Sequence, residues 1–184
     1  LSGTDALTVV AATTVMPVAK ATGLVDDLVD AAHRTPSAGV PGVRTFLTGS
    51  GHDTPDVYAA LEAAGLCVVG EDHDRGGQFH ERRVDGTDEW ALAERYQDTG
   101  PAAASASIRR RAAHTAAAAT ESGAQALLGY VRAHDPAPPW DFPHQRAGTG
   151  LPSALLRDQP YGGVSGAALR AAVEALTTST GARR

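Results

Sequence analysis

The chain has 184 residues, with 21 acidic against 16 basic side chains and a formal net charge of −5. That length is enough for one domain with a sizeable core, and the acidic balance argues against a nucleic-acid or anionic-membrane partner. No run approaches the roughly 20 apolar residues of a membrane span, and the start lacks the basic-then-apolar form of a secretion signal, so the chain reads as cytoplasmic. A lone cysteine, Cys67, leaves no disulfide framework and no cysteine-only metal site within the chain. It lies in the apolar run Leu66-Cys67-Val68-Val69, where a buried, inert thiol is the plainer expectation.

The chain opens at Leu1 rather than methionine, which a fragment or a processed chain would each explain, and runs into Ser2-Gly3-Thr4-Asp5, a helix-capping sequence. A helix is expected from Thr4 to about Val15, and Pro17 restarts a second one that reaches about His33. Thr35 to Gly42, rich in turn formers, closes this helical lead-in. Val43 to Thr48 reads as a short buried strand. Thr54-Pro55-Asp56 then opens a helix that carries Val57, Leu61 and Ala64 on one face and stops at Gly65. A second strand, Leu66 to Gly70, leads into a polar loop from Glu71 to Gly86. Helices follow at about Thr87 to Gln97 and Ser105 to Ser122, then a third strand, Ala126 to Val131. A fourth strand is placed at Leu151 to Leu156, a last helix at about Ser165 to Thr178, and a frayed tail after it. Short apolar strands alternating with helices indicate a Rossmann/flavodoxin-like three-layer α/β domain, with about four parallel strands. Residues 1–42 would be the lead-in and 43–184 the α/β domain.

Ligands of open parallel sheets sit beyond the carboxyl ends of the strands, which singles out three loops. Gly49, Ser50, Gly51 and His52 lead towards a helix N-terminus, a place for an anion; a simple strand-to-helix turn is the competing reading. The segment is neither a Walker A loop nor a G-x-G-x-x-G motif. The second loop, Glu71 to His80, concentrates carboxylates and imidazoles, the donors that metal ligation or acid/base chemistry needs, although a solvated, self-paired surface loop has the same composition. The third, Arg132 to His144, is rich in proline and aromatics. It is expected to form a rigid extended loop in which Trp140 and Phe142 wall an apolar pocket, or else cap the sheet edge. No G-x-S-x-G elbow supports serine hydrolase chemistry. His33 and His114 fall on helices among polar neighbours and read as exposed.

Taken in order, these segments resemble the C-terminal half of the 2-hydroxyacyl-CoA dehydratase family, which includes the benzoyl-CoA reductase subunits. The likeness rests on the Leu1-Ser2-Gly3-Thr4-Asp5-Ala6-Leu7 lead-in with Met16-Pro17, and on the Val43 to Ser50 strand followed by Asp53, Pro55-Asp56 and Tyr58. It continues through Gly70-Glu71-Asp72-His73-Asp74-Arg75-Gly76, Leu92 to Tyr96, Arg132 to Pro136, Trp140-Asp141-Phe142-Pro143, Leu155 to Asp158 and Ser165 to Arg170. The resemblance implies a subunit of two α/β domains, of which this chain holds the second, a related partner subunit in a heterodimer, and an acyl-CoA substrate dehydrated by lyase chemistry. It also implies a cysteine-held 4Fe–4S cluster fed by an ATP-dependent activator.

The sequence departs from the family at the cluster. The cysteines expected in this half align with Asp74 and His134, and a further one with the neighbourhood of Ala102-Ala103. Clusters are held by thiolates, so a conventional 4Fe–4S cluster is not expected in this chain. Three readings follow, in this order. The first is a cluster-free dehydratase subunit whose sister carries the redox site. The second is an acyl-CoA enzyme with a mononuclear Zn²⁺ or Fe²⁺ on Asp74, His134 and a ligand from the first domain. The third is a non-catalytic binding or scaffold protein.

Overall fold

A computed structural model describes residues 1–35, 39–73, 83–97, 100–101 and 106–181, with side chains as far as 178. Among them are seven helices and four strands. The order is α1 (Gly3–Thr14), α2 (Val18–Arg34), β1 (Val43–Gly49), α3 (Asp56–Ala63), β2 (Leu66–Glu71), α4 (Glu89–Gln97), α5 (Ile108–Glu121), β3 (Ala126–Arg132), α6 (Ala137–Thr149), β4 (Ser153–Gln159) and α7 (Gly166–Gly181). The strands form one parallel sheet, as the alternating pattern predicts, and their order is β2-β1-β3-β4. It is the flavodoxin-like order, in which the chain reverses direction across the sheet between β1 and β3 and leaves a crevice beyond their carboxyl ends.

Two helical layers cover the sheet because successive strand residues face opposite ways. Leu47, Leu128 and Tyr130 meet Val57, Tyr58 and Leu61 of α3 and Leu169, Ala172 and Leu176 of α7 in one core. Phe46 and Leu127, one residue out of phase, meet Ala119 of α5 and Phe142 of α6 in the other. Gly129 is required where α6 lies closest, since a Cβ there would stand 2.4 Å from Leu155 and 2.8 Å from the Phe142 ring. The lead-in helix α1 is capped by Ser2 and Asp5 in a capping box and lies against α3 and β2, with Leu7 on the first core.

Three expectations change. The segment read as a rigid extended loop between Arg132 and His144 is mostly helix α6. Pro136 is its N-cap and Pro138 falls in its first turn, where a missing N–H has no intrahelical partner to lose, so these prolines start a helix instead of preventing one. The fourth strand runs Ser153–Gln159 and not Leu151 to Leu156, because Leu151 and Pro152 form the turn after the left-handed Gly150 that ends α6. His33 is exposed, but His114 is half-buried on α5 beside the fully buried Thr115. Residues 74–82, Ala102-Ala103 and residues 182–184 lie outside the described residues.

Candidate functional site

The β1–α3 turn is pinned across the crevice between β1 and β3. Gly49 has φ +117°, and a Cβ there would lie 2.2 Å from the Tyr130 carbonyl oxygen, so only glycine lets the backbone approach β3 this closely. The next residue uses the approach. Ser50 N donates to Tyr130 O at 2.8 Å, Ser50 Oγ donates to Asp135 Oδ2 at 2.6 Å, and Oγ accepts from Arg132 N at 3.0 Å. From the β4 side, Tyr161 Oη donates to the Asp53 carboxylate at 2.8 Å. The Gly49-Ser50-Gly51-His52 segment does lie at the carboxyl edge of the sheet. Its serine hydroxyl is committed to Asp135, and Asp53 and Asp56 flank it, an acidic setting for an anion loop.

His52 turns inward from this loop. Its ring is 3 % exposed and lies against three others, with centroid distances of 4.3 Å to His73, 4.7 Å to Tyr58 and 5.8 Å to Tyr130. Neither ring nitrogen has a hydrogen-bond partner of good geometry, although the Ser50 backbone is close enough to oppose the shift of the ring's pKa. Burial, reinforced by the neighbouring His73, lowers that pKa to about 4, so the imidazole is neutral and its lone pair available at physiological pH.

Beside it, at the end of β2, Glu71 Oε2 meets His73 Nε2 at 3.0 Å and accepts a hydrogen bond from the Tyr58 hydroxyl. Burial alone would raise the Glu71 pKa. The hydrogen bond and charge of His73, with the Tyr58 hydroxyl, outweigh it and hold the carboxyl below its usual range. Tyr58 is pushed the opposite way by burial and the same carboxylate, which keeps it a proton donor. One ligand atom each of His52, Glu71 and His73 lie within 4.8 Å of one another, the only such group of three among the described residues.

Between Glu71 and His73, Asp72 points to the other face. Its carboxylate accepts from Thr115 Oγ1 of α5. Gln145 Nε2 of α6 donates to Thr115 Oγ1 at 3.0 Å and to Thr48 Oγ1 at 2.8 Å, and Arg111 pairs with Asp141 in the same α5–α6 seam. Burial raises the Asp72 pKa against the opposing Thr115, Thr48 and Arg111. Glu71-Asp72-His73 thus divides by strand alternation, its outer two residues joining His52 and its middle one entering a buried polar network.

The residues singled out from sequence scatter more widely. Asp74 lies outside the described residues. His134 sits exposed in the left-handed turn after β3, at φ 67°, in a shallow hollow with Asp135 and Tyr161, and does not belong to the His52 group. Trp140 and Phe142 are two residues apart on a helix, roughly 200° around its axis, and cannot wall one pocket: Trp140 is 74 % exposed while Phe142 fills the core under Gly129. A cavity of about 720 Å³ lies instead between α1, the β2 edge and α5. It is lined mainly by apolar groups such as Leu7, Phe46, Val69 and Ala118, and it reaches Tyr58 and Glu71. Sequence reading missed the pairing of His52 with Glu71 and His73. The signal was an i, i+2 pair of ligand-type residues at a strand end, next to a histidine ending the neighbouring strand's loop.

A flavodoxin-like α/β domain with a buried, titratable cluster at the carboxyl edge of β1 and β2 is the class of protein that the geometry defines. Residues 1–132 match the family model of the 2-hydroxyglutaryl-CoA dehydratase D-component, and the chain belongs to that family. A comparison with curated proteins gave no match.

The iron–sulfur cluster that the family resemblance implies does not fit the donors of this chain. Cys67, the single cysteine, is 7 % exposed inside β2, four residues and so about 13 Å along the strand from Glu71, and these 184 residues offer no second thiolate. Among the described residues no helix is long and apolar enough to cross a membrane.

Proposed function

We propose that the chain is a subunit, or the C-terminal domain of a subunit, of a 2-hydroxyacyl-CoA dehydratase-like complex that acts on acyl-CoA thioesters, is located in the cytoplasm and carries no conventional 4Fe–4S cluster of its own. The observation that carries this reading is the family match over residues 1–132, which spans both loops of the candidate site. The reaction class is loss of water from a 2-hydroxyacyl thioester. The Cα–O bond and a Cβ–H bond break, a carbon–carbon double bond forms, and there is no net oxidation or reduction. In this reading residues 43–184 form the second of two α/β domains, and a related, cysteine-bearing subunit supplies the redox centre as a heterodimer partner. The apolar cavity bordered by Tyr58 and Glu71 offers room for an acyl chain.

The test is co-expression of the chain with cysteine-bearing homologues, affinity purification, and iron and sulfide analysis of the product, with equilibrium dialysis against a 2-hydroxyacyl-CoA. A stoichiometric heteromeric complex that binds the thioester and holds its iron on the partner is expected. A chain that stays alone and binds no thioester at millimolar concentration overturns the proposal. A 4Fe–4S cluster on the isolated chain overturns its cluster-free part.

A further inference from the structure

We infer that His52, Glu71 and His73 form a mononuclear site for a divalent transition metal of the Zn²⁺ or Fe²⁺ class, placed at the carboxyl edge of the sheet where β1 and β2 end. The inference stands on the local geometry and does not depend on the dehydratase reading. It also replaces Asp74 and His134 as the ligand pair.

Three observations carry it. The donor set is two imidazoles and one carboxylate, the combination that binds Zn²⁺ in open catalytic sites and Fe²⁺ in facial triads, in both cases with coordination positions left for water or substrate. The spacing is close to that required. Tetrahedral ligands at 2.0–2.1 Å stand about 3.3 Å apart; Glu71 and His73 are already 3.0 Å apart, and all three ligand atoms lie within 4.8 Å. A side-chain adjustment of one to two ångströms at His52 would close the set. The third observation is His52 itself, 3 % exposed with both ring nitrogens unpartnered. An ion pair between Glu71 and His73 braced by Tyr58 would explain those three residues as structural. It leaves no reason to bury a second imidazole, unsatisfied, against the same pair.

The surroundings support ligation. The Tyr58 hydroxyl donates to Glu71 Oε2 and braces the carboxylate as an outer-shell donor, while the His73 Nε2 contact to the same oxygen would give way as both atoms turn to a metal. Glu71 and Tyr58 border the 720 Å³ cavity, which gives a route to the open coordination positions. The ligands come from two strand ends held by the sheet, and Gly49 and Ser50 fix the turn that delivers His52.

The experiment uses the full chain, stripped with a chelator and titrated with Zn²⁺ by calorimetry and with Co²⁺ by visible absorption. One equivalent of Zn²⁺ with Kd below about 1 µM is expected, and Co²⁺ should give the d–d bands of a four- or five-coordinate centre. His52→Gln and His73→Gln should each weaken binding by at least about a hundredfold, beyond the 10–100-fold usual for losing an outer-shell partner. His134→Ala should leave affinity unchanged. Absence of 1:1 binding by the wild-type chain overturns the inference, as does binding undiminished in His52→Gln. Loss of affinity in His134→Ala alone would also overturn it and return the site to the third loop. If His73→Gln disturbs folding, seen in its circular dichroism, His52→Gln decides, since that substitution removes no hydrogen bond.

Discussion

Replacing His52 by phenylalanine should make the metal-free protein more stable, and increasingly so as the pH falls. The aromatic contacts to Tyr58, His73 and Tyr130 are kept, while two unpartnered nitrogens are removed from the interior. An unsatisfied buried polar group costs about 1–3 kcal/mol, and the change of ring shape costs up to about 1.5 kcal/mol. The net gain at pH 8 is therefore about 1 kcal/mol, which for a chain of this size raises Tm by roughly 2–4 °C. Protonation adds a second effect. The folded ring has a pKa of about 4 against an ordinary 6.5, so between these values the unfolded chain binds more protons and the wild type loses stability as pH falls. The loss amounts to about 2 kcal/mol at pH 5 and about 3 kcal/mol below pH 4. Phenylalanine does not titrate, and the advantage of the variant should widen by those amounts. Glu71, His73 and Asp53 face the ring in both proteins, so the difference between them isolates His52 to first order. Urea unfolding in chelator at pH 8 and pH 5 measures both effects. A variant less stable than wild type by more than 1 kcal/mol at pH 8, or a gap that fails to widen by pH 5, would refute the assignment of His52 as a buried, unpartnered, neutral imidazole.

Gly49→Ala should destabilise by about 3 kcal/mol or more, since it joins backbone strain of about 1–3 kcal/mol to a contact with the rigid Tyr130 carbonyl; a loss under 1 kcal/mol in urea unfolding would mean that the turn sits differently. Asp72→Asn should be at least as stable as wild type at pH 7. Burial raises the folded-state pKa of Asp72, so the wild type loses stability as pH climbs from the unfolded value through the folded one, and asparagine does not. Thermal melts at pH 4 and pH 7 should show the variant gaining on the wild type, and an unchanged difference contradicts the burial. Arg111→Met should cost about 3–5 kcal/mol by stranding the Asp141 carboxylate, and adding Asp141→Leu should recover most of that. Equal losses in the single and double variants would show the pair to be incidental.

The fold was largely legible before any coordinates, since its signals are local. Short strand-forming segments at 43–48, 66–70 and 126–131, each followed by a polar turn and a helix-forming stretch, can form little other than a parallel sheet with crossovers. The failure at α6 has a local cause as well. Four of its flanking and internal residues are prolines, read as breakers, and whether a proline begins or interrupts a helix depends on its position within the first turn. The lead-in helices, the first three strands and the family were all written in residues that can be read one segment at a time.

The site was legible only in part. Sequence pointed to the two loops that matter, and it placed His52 in one and Glu71 and His73 in the other. It also favoured Asp74, which lies outside the described residues, and His134, which stands exposed in the turn after β3. His52 and Glu71 are 19 residues apart in the chain, and what brings them within ligand distance is the pairing of β1 with β2 in a register that sets Leu47 beside Glu71. That register depends on burying Leu47, Leu61 and Leu66 together, a long-range packing choice with no local signature. Strand alternation then sends Asp72 away from its neighbours and into the α5–α6 seam. The sequence by itself determined the elements, the family and the donors on offer; the tertiary structure decided which donors share a site, because ligand geometry is a distance between strands, and only the packed core sets that distance.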